Sequence, residues 1–129
     1  LINDGPHVLI DVIEVLKKNA LDRTILVTDA MSAAGGNDGK YLIGNLEVEV
    51  KDSIARLVSN GSLAGSTLTM ERAFINFINK DGVNIVDAVH ASSSHAAEVF
   101  GLKNVGSISV GKKANILHFD GKKIELLTF

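Results

Sequence analysis

A short run of β-branched and aliphatic residues, Thr24–Thr28, constrains the fold more than any other segment. The run does not alternate polar and apolar positions, which is typical of a strand buried on both faces in a parallel sheet. Apolar residues spaced three and four apart precede it and predict a helix over about 8–19. A helix followed by a buried strand is half of a repeating β-α unit. No second parallel strand is evident, so either Thr24–Thr28 pairs with a segment outside this chain or it is not a strand.

The segment after this strand reads first as a loop and then as a hairpin. Small residues and glycines predict a loop over Met31–Lys40. Two alternating stretches, 46–50 and 53–58, follow, with Lys51-Asp52 between them. They predict a hairpin whose turn is not of the ideal Asn-Gly type.

The second half of the chain predicts two helices and a tail of short strands. Ser66 or Thr67 can cap a helix over about 68–79. Asn84 caps another helix, which runs to about Phe100 and stops at Gly101. The tail is predicted to form three strands, over Ser107–Val110, Asn115–Phe119 and Lys123–Leu127.

Composition excludes several classes of protein. With 129 residues, 46% of them apolar, the chain is long enough for one domain with a real core. A net charge of -2 provides no basic field for nucleic acid or an anionic membrane, and no apolar run approaches the roughly 20 residues of a membrane span. The absence of cysteine excludes disulfides and thiolate metal sites, and it fits a cytoplasmic protein. Because the chain starts at Leu1 rather than Met, we expect it to be a fragment.

Two motifs that could carry chemistry are weak. Gly106–Lys112 matches the first seven positions of a phosphate-binding loop, but Lys113 replaces the required Ser or Thr, and a strand rather than a helix is predicted to follow. His90 and His95 lie five apart on one predicted helix, so their side chains should point about 140° apart and should not share an ion. We therefore expect no complete metal site within this chain.

Asp29 and His7 are stronger candidates. Asp29 ends the apolar strand, where desolvation would suit a carboxylate to proton transfer, although it could simply cap the loop. His7 follows a short segment, Leu1–Gly5, that can be the end of another strand. The small-residue loop Gly61–Thr67 precedes a helix, and its amides could bind an anion or a carbonyl oxygen. From the residues alone, both the functional and the structural interpretations remain open.

Four stretches resemble one family of enzymes. Leu26-Val27-Thr28-Asp29-Ala30-Met31, Asp4-Gly5-Pro6-His7-Val8 and Leu63-Ala64-Gly65-Ser66-Thr67-Leu68-Thr69-Met70 resemble blocks of the N-acetylglucosamine-6-phosphate deacetylases. The ending, Gly106-Ser107-Ile108 through Gly111-Lys112-Lys113-Ala114-Asn115-Ile116, resembles that of the wider amidohydrolase superfamily. The third block is the one that points to sugar-phosphate deacetylases.

The resemblance implies an α/β fold, namely the C-terminal portion of a (β/α)8 TIM-type barrel plus part of a small β-sandwich domain. Residues 1–104 would form the last barrel segments, with the final strand ending at Asp29, a β-hairpin insertion and two helices. Residues 105–129 would form the C-terminal strands of the sandwich. The resemblance also implies a homo-oligomer, most simply a dimer.

The resemblance further implies a reaction. The family hydrolyses the acetamide of N-acetylglucosamine 6-phosphate to glucosamine 6-phosphate and acetate. A divalent metal, often zinc, is held by a Glu and two His from earlier strands, so none is expected in this chain alone, which should be inactive. Asp29 matches the residue that moves the proton between the attacking water and the leaving amine. His7 matches a substrate-contacting histidine, and Leu63, Ala64 and Gly65 would offer main-chain contacts to the substrate.

Two other interpretations remain open. Another metal amidohydrolase, acting on a cyclic amide, would share Asp29 and the ending but gives no reason for the block Leu63–Met70. A binding or assembly module without catalysis would have to be a stable folded monomer with no missing strands.

Overall fold

The structure is a computed structural model that describes residues 1–128. It is a mixed α/β fold with a three-stranded sheet, a separate two-stranded sheet and short helices. In chain order the elements are α1 (Ile10–Asn19), a 3-10 turn (Leu21–Arg23), β1 (Gly39–Ile43), β2 (Leu46–Lys51), β3 (Ile54–Leu57), α2 (Met70–Asn79), α3 (Ile85–Val89), a π-helical turn (His90–Ser94), α4 (His95–Val99), β4 (Ile116–Phe119) and β5 (Ile124–Leu127). Within residues 1–128, no helix is both long and apolar enough to cross a membrane.

The segment Thr24–Thr28 is extended and lies beside the start of the chain. The Leu1 amino group donates to the Ile25 carbonyl at 2.7 Å, and the Val27 amide donates to the Leu1 carbonyl at 2.9 Å. Two bonds in this arrangement are those of a parallel pair, with Leu1 opposite Leu26. The parallel neighbour of Thr24–Thr28 within this chain is therefore Leu1, which belongs to the segment Leu1–Gly5 that could be the end of another strand. On the other side, the Leu26 amide donates to the Ala91 carbonyl at 2.9 Å.

Burial along this segment alternates, contrary to the prediction of a strand covered on both faces. Thr24 and Leu26 are buried, whereas Val27 is 44% exposed and Asp29 is exposed. Alternating side chains of an extended chain point to opposite faces, so one face packs on a core and the other is open among residues 1–128. The continuous apolar run did not distinguish these two faces.

The predicted hairpin is part of a three-stranded antiparallel meander, β1-β2-β3. Its tight turn, Asp52-Ser53, has positive φ at both residues (51° and 62°), which is the type I′ geometry that strand twist favours. Neither residue is glycine, and the Asp38 carboxylate braces the turn by accepting from both backbone amides at 2.7 and 3.2 Å. Strand β1 was missed, because its first residues fall inside the predicted loop.

Helix α2 contributes the two aromatic side chains of the main core, Phe74 and Phe77. Its cap is Thr69, whose hydroxyl accepts from the Arg72 amide at 3.2 Å, and not Ser66 or Thr67 as predicted. Those two hydroxyls are bonded instead to the carbonyls of Thr28 and Ser53. The buried residues of the main core are Leu26, Phe74, Phe77, Val83, Ala88 and Ala91. A second, smaller core lies under the meander and consists of Ala33, Val48, Val50, Ala55 and Ala64.

A buried polar cluster ties the first residues of the chain to the end of α2. The Asn3 side chain donates to the Ala73 carbonyl at 2.9 Å and to the Asp81 carboxylate at 3.1 Å, and Asn76 donates to the Asn3 carbonyl at 3.0 Å. Burial raises the pKa of Asp81 above its usual value. Three directed bonds fix the position of Asn3 and hence of the residue that follows it.

The long helix predicted from Asn84 is present but contains a π-helical turn. Asn84 caps it as predicted, its side chain accepting from the Asp87 amide at 3.0 Å, and Gly101 follows its end with a φ of 66°. In the π-helical turn, hydrogen bonds run from residue i to i+5, so residues five apart lie over one another. His90 and His95 are therefore stacked, with ring centroids 4.9 Å apart, and the prediction that they diverge by about 140° is wrong.

The C-terminal segment forms two of the three predicted strands. Strands β4 and β5 pair antiparallel, and Phe119 meets Phe74 of the main core edge to face with ring centroids 5.3 Å apart. The predicted strand Ser107–Val110 is wrong. Its apolar residues Ile108 and Val110 are 83% and 106% exposed, and no other strand pairs with it among residues 1–128.

Gly106, at the start of this loop, packs closely on α4. A Cβ at Gly106 would lie 2.4 Å from the Ala97 Cβ. The helix and the loop can approach this closely because position 106 carries no side chain.

Candidate functional site

Asp29 lies at the end of the extended segment in an unusual backbone conformation. Its φ is 49°, in the left-handed region that non-glycine residues rarely adopt. Its side chain is exposed and, within residues 1–128, takes part in no hydrogen bond or ion pair. The structural alternative, a loop cap accepting the amides of Ala30–Ser32, is therefore not observed. The burial that we expected around this carboxyl group is also not provided by residues 1–128. A strained backbone that presents an unbonded carboxylate is typical of functional sites.

The loop before α2 braces Asp29 from one side. The Ser66 amide donates to the Asp29 carbonyl, and the Met31 amide donates to the Ser66 carbonyl, both at 2.9 Å. These bonds form a parallel bridge between Ala30 and Ser66. The Ser66 hydroxyl also donates to the Thr28 carbonyl. Sequence reasoning treated Ser66 only as a possible helix cap and missed this role, for which the sequence carries no local signal.

Gly65 makes this close approach possible. It has a φ of 65°, and a Cβ at this position would lie 3.3 Å from both the Asp29 carbonyl oxygen and the Met31 Cβ. The three predicted main-chain contacts are not equivalent. The Ala64 amide already donates to the Ala55 carbonyl at 3.1 Å, whereas the amides of Leu63 and Gly65 donate to nothing within the described part of the chain. The Leu63 and Gly65 amides are therefore the ones that the loop can offer to a ligand, and Gly65 is the one of the two that lies against the Asp29 backbone.

His7 lies at the same end of the parallel pair as Asp29. Leu1 is opposite Leu26, so Asp4 and Asp29 each come three residues further along neighbouring segments. The sequence Asp-Gly-Pro-His turns back on itself, with a φ of 96° at Gly5. The His7 Nδ1 atom lies 2.7 Å from Asp4 Oδ2, and the His7 amide donates to Asp4 Oδ1 at 3.1 Å. The sequence analysis did not predict a role for Asp4, although the spacing Asp-x-x-His around Gly-Pro indicates a turn that can bring the two side chains together.

No metal site is formed by these residues alone. In the part of the chain that the structure describes, no group of three or more histidine, aspartate or glutamate side chains comes close enough to hold an ion. His95 has an acidic neighbour, with Glu98 Oε2 3.8 Å from its Nδ1 atom, but the stacked His90 and His95 do not form an ion-binding group with it among residues 1–128. What the site contains is one unbonded carboxylate, one oriented imidazole and two available amides, which can move a proton and hold a polar ligand.

Substitution of Gly65 should cost more stability than substitution of a glycine that differs only in its surroundings. We expect Gly65→Ala to lose about 1–2 kcal/mol from the left-handed backbone, plus a further loss because the new Cβ crowds the Asp29 carbonyl. Gly61→Ala is the matched control, since its φ of 73° imposes the same strain but its Cβ would meet nothing within 4 Å. Urea unfolding measures both. Equal losses would show that the contact with Asp29 is unimportant.

Comparison with known proteins adds independent evidence. Residues 9–129 match the model of the amidohydrolase family. A protein of Escherichia coli, provisionally named an N-acetylgalactosamine-6-phosphate deacetylase, is 39% identical over 121 residues, which are 93% of this chain and 72% of that protein. The N-acetylglucosamine-6-phosphate deacetylase of Vibrio furnissii is 38% identical over 118 residues, which are 91% of this chain and 29% of that enzyme.

A solved structure is similar over almost the whole chain. The crystal structure of N-acetylglucosamine-6-phosphate deacetylase from Pasteurella multocida superimposes with a TM-score of 0.89 at 31% sequence identity. The match covers 96% of this chain and 33% of that structure. The chain thus spans about a third of the length of the Vibrio and Pasteurella proteins, and most of the length of the Escherichia coli relative.

Proposed function

The chain belongs to the amidohydrolase family, and from this premise we propose that it is the C-terminal part of an enzyme that deacetylates an N-acetylhexosamine 6-phosphate. The substrate that we propose first is N-acetylglucosamine 6-phosphate, and the products are glucosamine 6-phosphate and acetate. The observation that carries this proposal is the bridge between Ala30 and Ser66, because it holds the backbone of Asp29, whose carboxylate is unbonded among residues 1–128, against the loop that contains Gly65.

The proposed architecture is the end of a (β/α)8 barrel, with residues 105–129 contributing strands to a small β-sandwich. The parallel pairing of Leu1 with the Thr24–Thr28 segment supports this, because neighbouring barrel strands are parallel. The open face that carries Val27 and Asp29 corresponds in this proposal to the barrel interior, which the remaining strands would close. Active sites of such barrels lie at the carboxyl ends of the strands, where Asp29 and His7 are found.

Asp29 is proposed to carry the proton in both halves of the reaction. Its carboxylate accepts a proton from water as the water oxygen attacks the acetamide carbonyl carbon. The same proton then goes to the nitrogen as the C–N bond breaks, so the amine leaves neutral and acetic acid is formed. The acid then releases the second proton of the water to solvent and becomes acetate. Because the carboxylate is exposed and unbonded within residues 1–128, it is free to alternate between the two forms. His7 and the amides of Leu63 and Gly65 would hold the sugar in place meanwhile.

The metal that the family resemblance implies does not fit a site made by this chain alone. Among residues 1–128, Asp29 belongs to no group of three or more histidine, aspartate or glutamate side chains that could hold an ion. In the proposal, the Glu and the two His that would hold a divalent ion, zinc in the first instance, belong to earlier segments. A homo-oligomeric assembly remains part of the same proposal.

The hexosamine epimer is the point on which the relatives differ. One relative is named for the galactosamine substrate and the other for the glucosamine substrate, at 39% and 38% identity. N-acetylgalactosamine 6-phosphate is therefore the second candidate substrate. The two sugars differ only in the configuration at C4.

An assay of the complete enzyme tests the proposal. Acetate release is measured with each of the two sugar phosphates, and ring opening is measured with a dihydropyrimidine, which represents the cyclic-amide alternative. We expect turnover of at least one sugar phosphate and none of the dihydropyrimidine. Turnover of the dihydropyrimidine alone would replace the proposal with the cyclic-amide interpretation, and no turnover of any substrate would favour the binding-module interpretation.

A further inference from the structure

We propose that Asp4 is a positioning residue that fixes the orientation and tautomer of His7. Its carboxylate makes both of the hydrogen bonds that hold His7, one to the ring and one to the backbone. The two side chains are mostly covered, with 20% of His7 and 15% of Asp4 exposed. The use of His7 in substrate binding rests on the proposed function, whereas its geometry does not.

The two residues between Asp4 and His7 restrict the backbone in a way that favours the Asp4–His7 hydrogen bonds. Gly5 adopts a positive φ of 96°, and Pro6 has a fixed φ, so the connection has little freedom. With both carboxylate oxygens engaged, the ring can neither rotate nor shift without breaking a bond to a charged group. Such bonds are stronger than those between neutral groups.

Asp4 is itself held by its neighbour. Asn3 is 4% exposed and is fixed by the bonds that join it to Ala73, Asn76 and Asp81. Because these bonds anchor Asn3 to α2, they also fix the backbone position of Asp4, and this restricts where the Asp4 carboxylate can lie. The imidazole is thus connected to the core of the protein through two consecutive residues.

The contact determines which ring nitrogen carries the proton. An ionised carboxylate only accepts hydrogen bonds, so the Nδ1 atom of His7 must donate. In the neutral ring this leaves Nε2 with a free lone pair. Within residues 1–128, Nε2 takes part in no hydrogen bond. The ring therefore presents an acceptor, which suits a donor group on the ligand, such as a sugar hydroxyl.

Nitrogen NMR of the enzyme labelled with 15N only at histidine tests the tautomer directly. At a pH where the ring is neutral, the His7 signals, assigned by their loss in His7→Gln, should show a protonated Nδ1 and an unprotonated Nε2. In Asp4→Asn the amide can rotate to donate to Nδ1, so the population should shift toward protonated Nε2. A wild-type ring that is mainly protonated at Nε2 would overturn the proposal without any need for the variant to fold.

Kinetics test the consequence for binding. Asp4→Asn should raise KM for the sugar phosphate roughly tenfold to a hundredfold, the value of a charge-assisted bond, and should change kcat much less. Asp11→Asn removes the same charge from an exposed position in the first turn of α1 and should leave KM unchanged. If Asp4→Asn leaves KM at the wild-type value while His7→Gln raises it, Asp4 is not a positioning residue. If His7→Gln itself changes nothing, the binding role of His7 in the proposed function fails, while the NMR result still decides the tautomer.

Discussion

Replacing Asp29 by Asn in the complete enzyme should reduce kcat by roughly 100- to 10,000-fold, the usual contribution of a general acid–base group. The amide has nearly the same shape as the carboxylate but cannot accept the proton from water or return it to the leaving nitrogen. Since Asp29 makes no side-chain hydrogen bond within residues 1–128, the substitution removes no structural contact that the structure describes. The thermal midpoint and the metal content, measured by elemental analysis, should therefore stay close to wild type.

Asp22→Asn is the matched control for this experiment. Asp22 lies in the 3-10 turn just before the same extended segment and is exposed, so the change in charge is identical and nearby in sequence. It should retain wild-type turnover. Near-normal activity of Asp29→Asn would contradict the proton-transfer role, and a large loss of bound metal in that variant would show that Asp29 acts chiefly as a ligand.

Replacing Phe77 by Ala should have the largest effect on stability. Phe77 is 0% exposed and lies at the centre of the main core, where removal of a phenyl ring costs about 3–5 kcal/mol. For a protein of this size that loss lowers the thermal midpoint by on the order of 10 °C. Leu26 is part of the same core, so the segment that ends at Asp29 should loosen as well. Urea unfolding monitored by circular dichroism gives the free energy of unfolding.

Phe100→Ala is the control for Phe77→Ala, because it removes an aromatic ring that is exposed rather than buried. Phe100 is 71% exposed just after α4, so its removal should change the free energy of unfolding by no more than about 0.5 kcal/mol. Similar losses in both variants would mean that the core is not organised around Phe77 as described.

Elements with local signals were predicted correctly. The cap at Asn84, the glycine after α4 and the meander hairpin all follow from residues within a few positions of the feature. Features that depend on distant partners were not predicted. The tight turn at Asp52-Ser53 is stabilised by Asp38, fourteen residues away, and β1 gains its structure by pairing with β2. Alternating apolar residues at Ile108 and Val110 predicted a strand, but no strand pairs with them within residues 1–128.

The candidate site shows the same division between features that nearby residues indicate and features that depend on distant residues. Residue types and their places in the chain identified Asp29, His7 and the small-residue loop Gly61–Thr67 as candidates. The resemblance then assigned roles to Asp29, His7 and residues 63–65, and these roles remain predictions. The sequence could not show that Ser66 joins the loop to Asp29, because those residues are far apart along the chain and only the folded backbone brings them together. It also could not show that the Ala64 amide is already used by β3.

The π-helical turn makes residues His90–Ser94 the place in this helix where the loss of one residue matters least. A π turn holds one more residue than an α turn, so a deletion of one residue within His90–Ser94 would restore a regular α-helix. Because the wide turn absorbs the extra residue, α4 would keep almost the same facing, and Ala97 would stay close to Gly106. A deletion of two residues would exceed that reserve and would rotate α4 by about 100° about its axis, which would move Ala97 away from the loop. The first deletion should therefore be tolerated far better than the second.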